Sequence, residues 1–274
     1  MNLVLNPKSE KLVRRLGEHL PQSLLISGDA GVGLKSIAHT IGNGSIIALI
    51  EPTDAKDKVD HARGSISVEV IRRLYEQTRA RQTSRQVVII DDADRMSHGA
   101  QNAFLKLLEE PNDNIHFILT SHQPKQLLPT IRSRVQEVNI LPVSQEQTAS
   151  FLTSLQVTDA RTQAQLAFIS SGLPAKMVRL TEDEDYFARE AKTMADARTF
   201  IQGSSFEKIT VIHDYATSRE RALELLDSAL MIVRRSVSVH AEPRLIHQLE
   251  RLLAAREAID ANHNVKLQLT QIVL

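Results

Sequence analysis

The chain has 274 residues, of which 33 are basic and 33 acidic, and it contains no cysteine. Because the charges balance, no global field attracts the protein to DNA or to anionic lipid, and any nucleic-acid contact must be local. The lack of cysteine excludes disulfides, thiol catalysis and cysteine-ligated zinc. The sequence shows neither a signal-peptide core nor an apolar run of membrane length, which predicts a cytoplasmic protein with no membrane partner.

Three short apolar runs predict buried strands: SLLIS at residues 23–27, VVIID at 87–91 and HFILT at 116–120. The intervals between them are long enough for helical crossovers. An α/β fold is therefore expected, in which helices cover a parallel sheet.

After residue 141 only helix-like patterns remain. Gly172 and Pro174 interrupt the first helical stretch, and the acidic run TEDEDY precedes the last one. The predicted division is an α/β domain at residues 1–141, a small helical domain at 142–184 and a final helical domain at 185–274.

The segment GDAGVGLKS, residues 28–36, differs from a phosphate-binding loop at two positions. Such a loop reads G-x-x-x-x-G-K-S/T, where the lysine meets the outer phosphates and the hydroxyl holds Mg²⁺. Gly28 and Gly33 are correctly spaced, but Leu34 takes the lysine position and Lys35 the hydroxyl position. One extra loop residue would make Lys35 and Ser36 the functional pair, although a one-residue slip on a helix rotates a side chain by about 100°. The alternative is that the glycines only form a tight turn. Impaired or absent nucleotide hydrolysis is predicted.

A second motif, VVIIDDADRM, ends an apolar strand in Asp91 and Asp92. In hydrolytic enzymes the first carboxylate at this place holds Mg²⁺ and a following glutamate polarises the attacking water. Asp92 is one methylene shorter than glutamate, which also weakens the case for hydrolysis. Two carboxylates at a strand end could equally be a solvated strand terminus.

The wider segment 87–138 includes NAFLKLLEEP and LLPTIRSRVQ and closely resembles the clamp-loader branch of the AAA+ ATPases. Within that branch it is most similar to the delta-prime subunits of bacterial DNA polymerase III. The resemblance implies an AAA+ sheet domain, a helical lid and a helical collar that assembles with other subunits. In this family, motor subunits hydrolyse ATP, whereas delta-prime often carries a degraded loop and acts as a rigid stator.

The resemblance also implies partners and site residues. The partners are motor and clamp-opening subunits, the sliding clamp indirectly, and primed DNA through the assembled ring. Arg134 is expected to act in trans on ATP held by a neighbour, and no intrinsic ATPase activity is expected. ATP bound without hydrolysis is left open as an alternative. The residues of the degenerate nucleotide site are Gly28, Gly33, Lys35, Ser36, Asp91, Asp92 and Thr120.

Two departures from the family's pattern affect the expected ligands. Where an arginine of the lid contacts nucleotide in motor subunits, this chain has Ala175. Relatives commonly carry a cysteine-ligated zinc module before the second motif, whereas this chain offers only histidines and aspartates, whose spacing fits no closed tetrahedral site. We therefore expect no zinc and a solvated loop. The residues considered as ligands are His39, Asp54, Asp57, Asp60 and His61.

The stretch 71–85 concentrates arginines in an otherwise neutral chain. It could line a ring that follows a DNA backbone, or it could be a solvated helix face. Two other functions remain open: an active AAA+ ATPase with a shifted loop, and an interaction module that has lost the ring. The arginines are Arg72, Arg73, Arg79, Arg81 and Arg85.

Overall fold

A computed structural model describes residues 3–61, 63–78, 84–110, 114–239 and 242–273. Within these residues the strands form one parallel sheet in the order β2-β3-β4-β1-β5. The predicted α/β fold with a parallel sheet is confirmed. The strands are β1 (Ser23–Gly28), β2 (Ile46–Ile50), β3 (Gln86–Ile90), β4 (Ile115–Ser121) and β5 (Gln136–Ile140).

Helices alternate with the strands and then continue alone to the end of the chain. In the first part they are α1 (Pro7–Glu18), α2 (Leu34–Gly42), α3 (Val68–Thr78), α4 (His98–Glu109) and α5 (Pro129–Arg132). After β5 come α6 (Gln145–Ser154), α7 (Ala160–Ser170), α8 (Pro174–Glu182) and α9 (Glu184–Gln202). The last are α10 (Ser205–Tyr215), α11 (Arg219–Val239), α12 (Pro243–Asp260) and α13 (Val265–Val273).

The three predicted strands are the inner ones, β3, β4 and β1. They are buried almost throughout because helices cover both faces of the sheet. On one face, α3 and α4 contribute to an apolar cluster in which Phe104 and Phe117 meet edge to face, with ring centroids 5.3 Å apart. On the other face, α1 and α2 supply Leu16 and Ile37 to a second cluster. The edge strands β2 and β5 are half exposed and were not predicted from the sequence.

The chain divides into two compact units, Met1–Arg179 and Leu180–Leu274. The predicted three-part division stays a prediction. In the second unit Tyr215 is buried and donates a hydrogen bond to Asp196 at 2.8 Å, while the Arg221 guanidinium lies 4.7 Å from its ring centre. Among the described helices, none combines the length and the apolar character that crossing a bilayer requires.

Candidate functional site

The loop after β1 is a tight turn that leads directly into α2. The N–H of Val32 donates to the carbonyl of Asp29 at 3.1 Å, and α2 begins directly afterwards. Gly31 and Gly33 have φ angles of 94° and 95°, a region that residues with a Cβ enter only under strain. Gly33 is the N-cap of α2 and supplies no side-chain acceptor, so the first N–H groups of this helix have no such cap.

The side chains on this loop do not follow the pattern of a working site. Leu34 is only 2% exposed and belongs to the apolar cluster under the sheet. Its Cδ2 lies 3.4 Å from where a Cβ on Gly28 would stand, so it folds back against the end of β1. Ser36 is exposed and faces a cavity. An apolar side chain therefore takes the place at which a phosphate-binding lysine begins.

Lys35 reaches across to the end of β2 instead. Its Nζ lies 2.5 Å from Oε1 of Glu51, the residue that follows β2. The same Oε1 is 3.3 Å from Nε2 of His61, and Nδ1 of His61 is 2.7 Å from Oδ2 of Asp92. Burial alone would raise the pKa of Glu51, but the hydrogen bond and charge of Lys35, together with His61, outweigh it and lower that pKa.

The carboxylates after β3 are tied to the end of β4. Thr120 is fully buried, and its hydroxyl donates to Oδ1 of Asp91 at 2.6 Å and accepts the N–H of Asp92 at 3.0 Å. Asp91 is 4% exposed, and burial raises its pKa above the ordinary value, with the neighbouring Asp92 acting in the same direction. Because its one proton is already donated to Asp91, the Thr120 hydroxyl has none left for another acceptor.

Helix α8 packs directly on the loop. The N–H of Lys176 donates to the carbonyl of Gly31 at 3.1 Å, and a Cβ on Gly31 would lie 2.9 Å from the Cβ of Lys176. Beside this contact is a cavity of about 620 Å³. Its wall includes Ser36 and His39 of α2, Phe151 of α6 and Ala175 of α8. At the position where the resemblance would place a nucleotide-contacting arginine, the cavity therefore meets the methyl group of Ala175 and no charge.

Arg134 lies at the opposite edge of the sheet from the loop, where the amino ends of the parallel strands meet. It precedes β5, whose first residue, Gln136, pairs with Leu24, whereas the loop follows Gly28, which pairs with Ile140. Four residue steps along the strand, about 13 Å, separate these two levels of the sheet.

The Arg134 side chain is 39% exposed, and Nη2 lies 3.0 Å from Oε1 of Glu109, which is itself 51% exposed. Nη1 donates to the carbonyl of Thr130 at 3.0 Å. Arg132 pairs separately with Glu137 at 3.0 Å. Both arginines are thus held by exposed groups of their own chain.

The region expected to be a solvated loop has local structure. Thr53 bridges to both Val59 and Ser65, and this turn brings His61 to Glu51. Asp54 and Asp60 accept backbone N–H groups of the same turn, whereas His39 lies on α2 at the cavity. The histidines and aspartates considered as ligands are therefore not gathered at one place.

The arginine-rich stretch does not form one surface in the described residues. Arg72 and Arg73 are exposed on α3, whereas Arg79 and Arg81 lie outside the described residues. Arg85 is half-buried and donates to the carbonyls of Gly17 and Ile41 at 3.5 and 3.3 Å, near the ends of α1 and α2. Arg85 is thereby held by the ends of two helices, whereas a DNA contact of this stretch stays a prediction.

Glu51 and His122 are site residues that the sequence analysis missed. His122 donates from Nδ1 to the carbonyl of Gly28 at 2.8 Å, and its Nε2 is 3.8 Å from Oδ1 of Asp92. A carboxylate directly after a strand was a usable signal for Glu51, but β2 itself was not recognised. His122 is the first residue after β4, and a titratable side chain directly after a predicted strand could likewise have indicated it.

Comparison with known sequences gives consistent matches. A sequence model of the family described as "DNA polymerase III, delta subunit" matches residues 7–144, half of the chain. The DNA polymerase III subunit delta' of Pseudomonas aeruginosa is 33% identical over 175 residues, which cover 61% of this chain and 51% of that protein. Its counterpart in Escherichia coli is 28% identical over 191 residues, covering 68% and 57%. The chain thus spans about half the length of these curated relatives.

One solved structure is similar over nearly the whole chain. It is a DNA polymerase III gamma subunit-related protein from Thermotoga maritima, with a TM-score of 0.52, 20% identity and 96% of each chain covered. At this identity the likeness concerns the fold alone. The predicted AAA+ fold is confirmed by this likeness together with the five-stranded parallel sheet.

Proposed function

This chain belongs to the family described as DNA polymerase III, delta subunit, and we propose that it is a delta-prime-type, non-hydrolysing subunit of a clamp loader. In this proposal it assembles with motor and clamp-opening subunits and assists ATP-dependent loading of a sliding clamp on primed DNA. Its contribution to the chemistry is an arginine, Arg134, that it offers to ATP held by a neighbouring motor subunit.

The geometry of the loop supports the absence of hydrolysis. A magnesium-bound triphosphate requires a lysine on the outer phosphates and a hydroxyl on the metal. Here Leu34 is buried at the first position, and Lys35 at the second is bound to Glu51. The hydroxyl of Thr120 donates its one proton to Asp91. These residues do not fit that ligand, and no step of the proposed function passes through the chain's own loop.

The observation that carries the proposal is the position of Arg134 at the edge of the sheet opposite its own loop. From there it cannot serve the loop of its own chain, but a neighbour in a ring could present a nucleotide to it. A guanidinium brought across an interface stabilises charge that develops on the transferred phosphoryl group, an effect of roughly 10³ to 10⁵ in rate. The Glu109 partner is half exposed, so exchanging it for phosphate costs little.

The test uses the complex assembled from this chain and the motor and clamp-opening subunits of the same organism. With Arg134→Ala we expect assembly to be unchanged, whereas DNA-stimulated ATP turnover and the rate of clamp loading fall. Arg132→Ala is the matched control, since Arg132 lies two residues away, is equally exposed and pairs with Glu137. Unchanged loading by the Arg134→Ala complex would leave the chain a purely architectural role.

The cavity beside Ser36 favours one refinement, that a nucleotide is held without turnover. Its volume of about 620 Å³ is ample for a nucleoside, and α6 and α8 close it with apolar side chains. Binding of a fluorescent ADP analogue to the isolated chain, with no phosphate release above buffer, would support this form. Phosphate release that disappears in Lys35→Ala would instead identify an active ATPase with a shifted loop.

A further inference from the structure

Lys35 stands where a phosphate-binding loop has the hydroxyl that holds Mg²⁺. Its ammonium is not directed to the loop but lies at the end of β2, 2.5 Å from Oε1 of Glu51. A positive charge attached to the chain therefore lies beside the carboxylates that follow two neighbouring strands.

The groups around this ammonium form a donor set that suits a metal ion. Glu51, His61 and Asp91 each offer one ligand atom, and these three atoms lie within 4.8 Å of one another. Two carboxylate oxygens and an imidazole nitrogen are common ligands of first-row divalent cations such as Mn²⁺ and Zn²⁺. The cluster combines a residue that follows an edge strand, a residue of a loop and a residue that follows an inner strand, which is why no spacing in the sequence indicated it.

His61 is oriented as a ligand would be. Its Nδ1 lies 2.7 Å from Oδ2 of Asp92, and a carboxylate can only accept, so the proton is on Nδ1. Nε2 lies 3.3 Å from Oε1 of Glu51, which also accepts, so a metal ion bound between these two atoms would require Nε2 to be free of a proton. A carboxylate that holds one ring nitrogen while the other faces a cation is the usual second partner of a metal-bound histidine.

The charges in the cluster need a cation. Glu51, Asp91 and Asp92 bring three carboxylates to adjacent strand ends, and Asp91 and Asp92 are buried. Lys35 is bonded to Glu51, and its charge acts on both Glu51 and Asp91. Like charges at this distance destabilise one another unless a cation is placed between them.

We propose that Glu51, His61 and Asp91 form a divalent-cation site whose place is taken, in this chain, by the tethered ammonium of Lys35. The ammonium supplies the charge that the carboxylates require and repels a second cation. The chain thereby keeps the strand ends of a nucleotide site stable with no metal ion. This inference goes beyond the role in a complex, because it concerns a cation site of the isolated chain.

The test is a titration of the purified chain with two metal ions. Binding of Mn²⁺ is measured from the electron paramagnetic resonance signal of the free ion, and binding of Zn²⁺ is measured by calorimetry. The unmodified chain should show no saturable site below millimolar Mn²⁺. Lys35→Ala should gain one site per chain, at least about tenfold tighter, which is about 1.4 kcal/mol, because a like charge is removed from the cation's position. Lys35→Gln, which keeps a long polar side chain, should behave in the same way.

Three controls make the result specific. Lys35→Arg keeps the charge and should gain no site, and Lys56→Ala removes an exposed lysine of the nearby turn and should also gain none. His61→Ala combined with Lys35→Ala should lose the new site. The proposal is overturned if the unmodified chain binds Mn²⁺ as tightly as Lys35→Ala, if neither binds it, or if the site survives without His61. ATPase activity enters none of these readouts, so failure here is separate from failure of the proposed function.

Discussion

At the carboxyl edge of the sheet, where the parallel strands end, Lys35 is paired with Glu51. The Glu51 side chain is 18% exposed and also contacts His61. At the amino edge Arg134 is paired with Glu109, whose side chain is 51% exposed. Both cations have a carboxylate partner at hydrogen-bond distance, yet only the second partner is readily exchanged, because exposed ion pairs contribute little free energy. The comparison teaches that burial of the partner, more than the presence of a cation, decides which side chain can serve an external anion.

The contact between Gly31 of the loop and Lys176 of α8 is expected to have the largest effect on the free energy of unfolding. Gly31→Ala should lower the free energy of unfolding by about 2 to 3 kcal/mol, since it forces a positive φ on alanine and places its Cβ 2.9 Å from that of Lys176. Gly44→Ala is the matched control, with a φ of 77° and no atom within 4 Å of the new Cβ. It should cost about 1 kcal/mol. Equal losses in urea unfolding followed by circular dichroism would contradict a tight contact between α8 and the loop.

The buried hydroxyl at the same edge is expected to come next. Thr120→Val leaves the N–H of Asp92 and a carboxylate oxygen of Asp91 without their partner, which should cost about 1 to 3 kcal/mol of unfolding free energy. Thr40→Val on α2 removes an exposed hydroxyl that bonds the carbonyl of Ser36, and should change stability by less than about 0.5 kcal/mol. A small loss for Thr120→Val would mean that water replaces the hydroxyl and that the edge is less closed than its burial indicates.

The two carboxylates of this edge should respond to pH in opposite directions. The pKa of Glu51 is lowered in the fold, so its ionised form stabilises the protein above the pKa of the unfolded chain, and this is lost as pH falls through the folded pKa. Glu51→Gln should therefore be less stable than the unmodified chain at pH 7, with a difference that closes in acid.

Burial raises the pKa of Asp91, so its ionised form destabilises the fold at neutral pH, and protonation relieves this cost as pH falls through the folded pKa. Asp91→Asn should be more stable than the unmodified chain at pH 7, and its advantage should shrink in acid. Melting temperatures of both variants from pH 2 to pH 8 check these signs. Parallel curves for the two variants would refute the assignment of opposite shifts.

The smallest effect is expected at the amino edge. Arg134→Ala should change the free energy of unfolding of the isolated chain by no more than about 0.5 kcal/mol, because both members of its ion pair are exposed. Arg132→Ala should give the same small value. Equal stabilities combined with unequal clamp loading would separate the functional arginine from its neighbour. A loss above 2 kcal/mol for Arg134→Ala would instead assign it a structural role.

The inner part of the fold was predictable because it follows from a local property. Strands β1, β3 and β4 are covered by helices on both faces, and such strands are apolar at most positions. Edge strand β5, QEVNI, is covered only in part and carries no apolar run, whereas β2, IIALI, is apolar at all five positions and was not predicted although its pattern was readable. The glycines of the loop were equally readable, since their spacing reflects a backbone that only glycine adopts without strain.

The sequence by itself determined that the loop lacks its lysine, that Asp91 and Asp92 follow a buried strand, and that Arg134 stands in a family motif. Only the tertiary structure decided that Lys35 binds Glu51 and that Arg134 lies at the opposite edge from the loop. The first kind of information is carried by neighbouring residues, whose chemistry is visible in the chain. The second depends on strand order and on a turn that returns His61 to Glu51, and such long-range contacts leave no periodic pattern in the sequence.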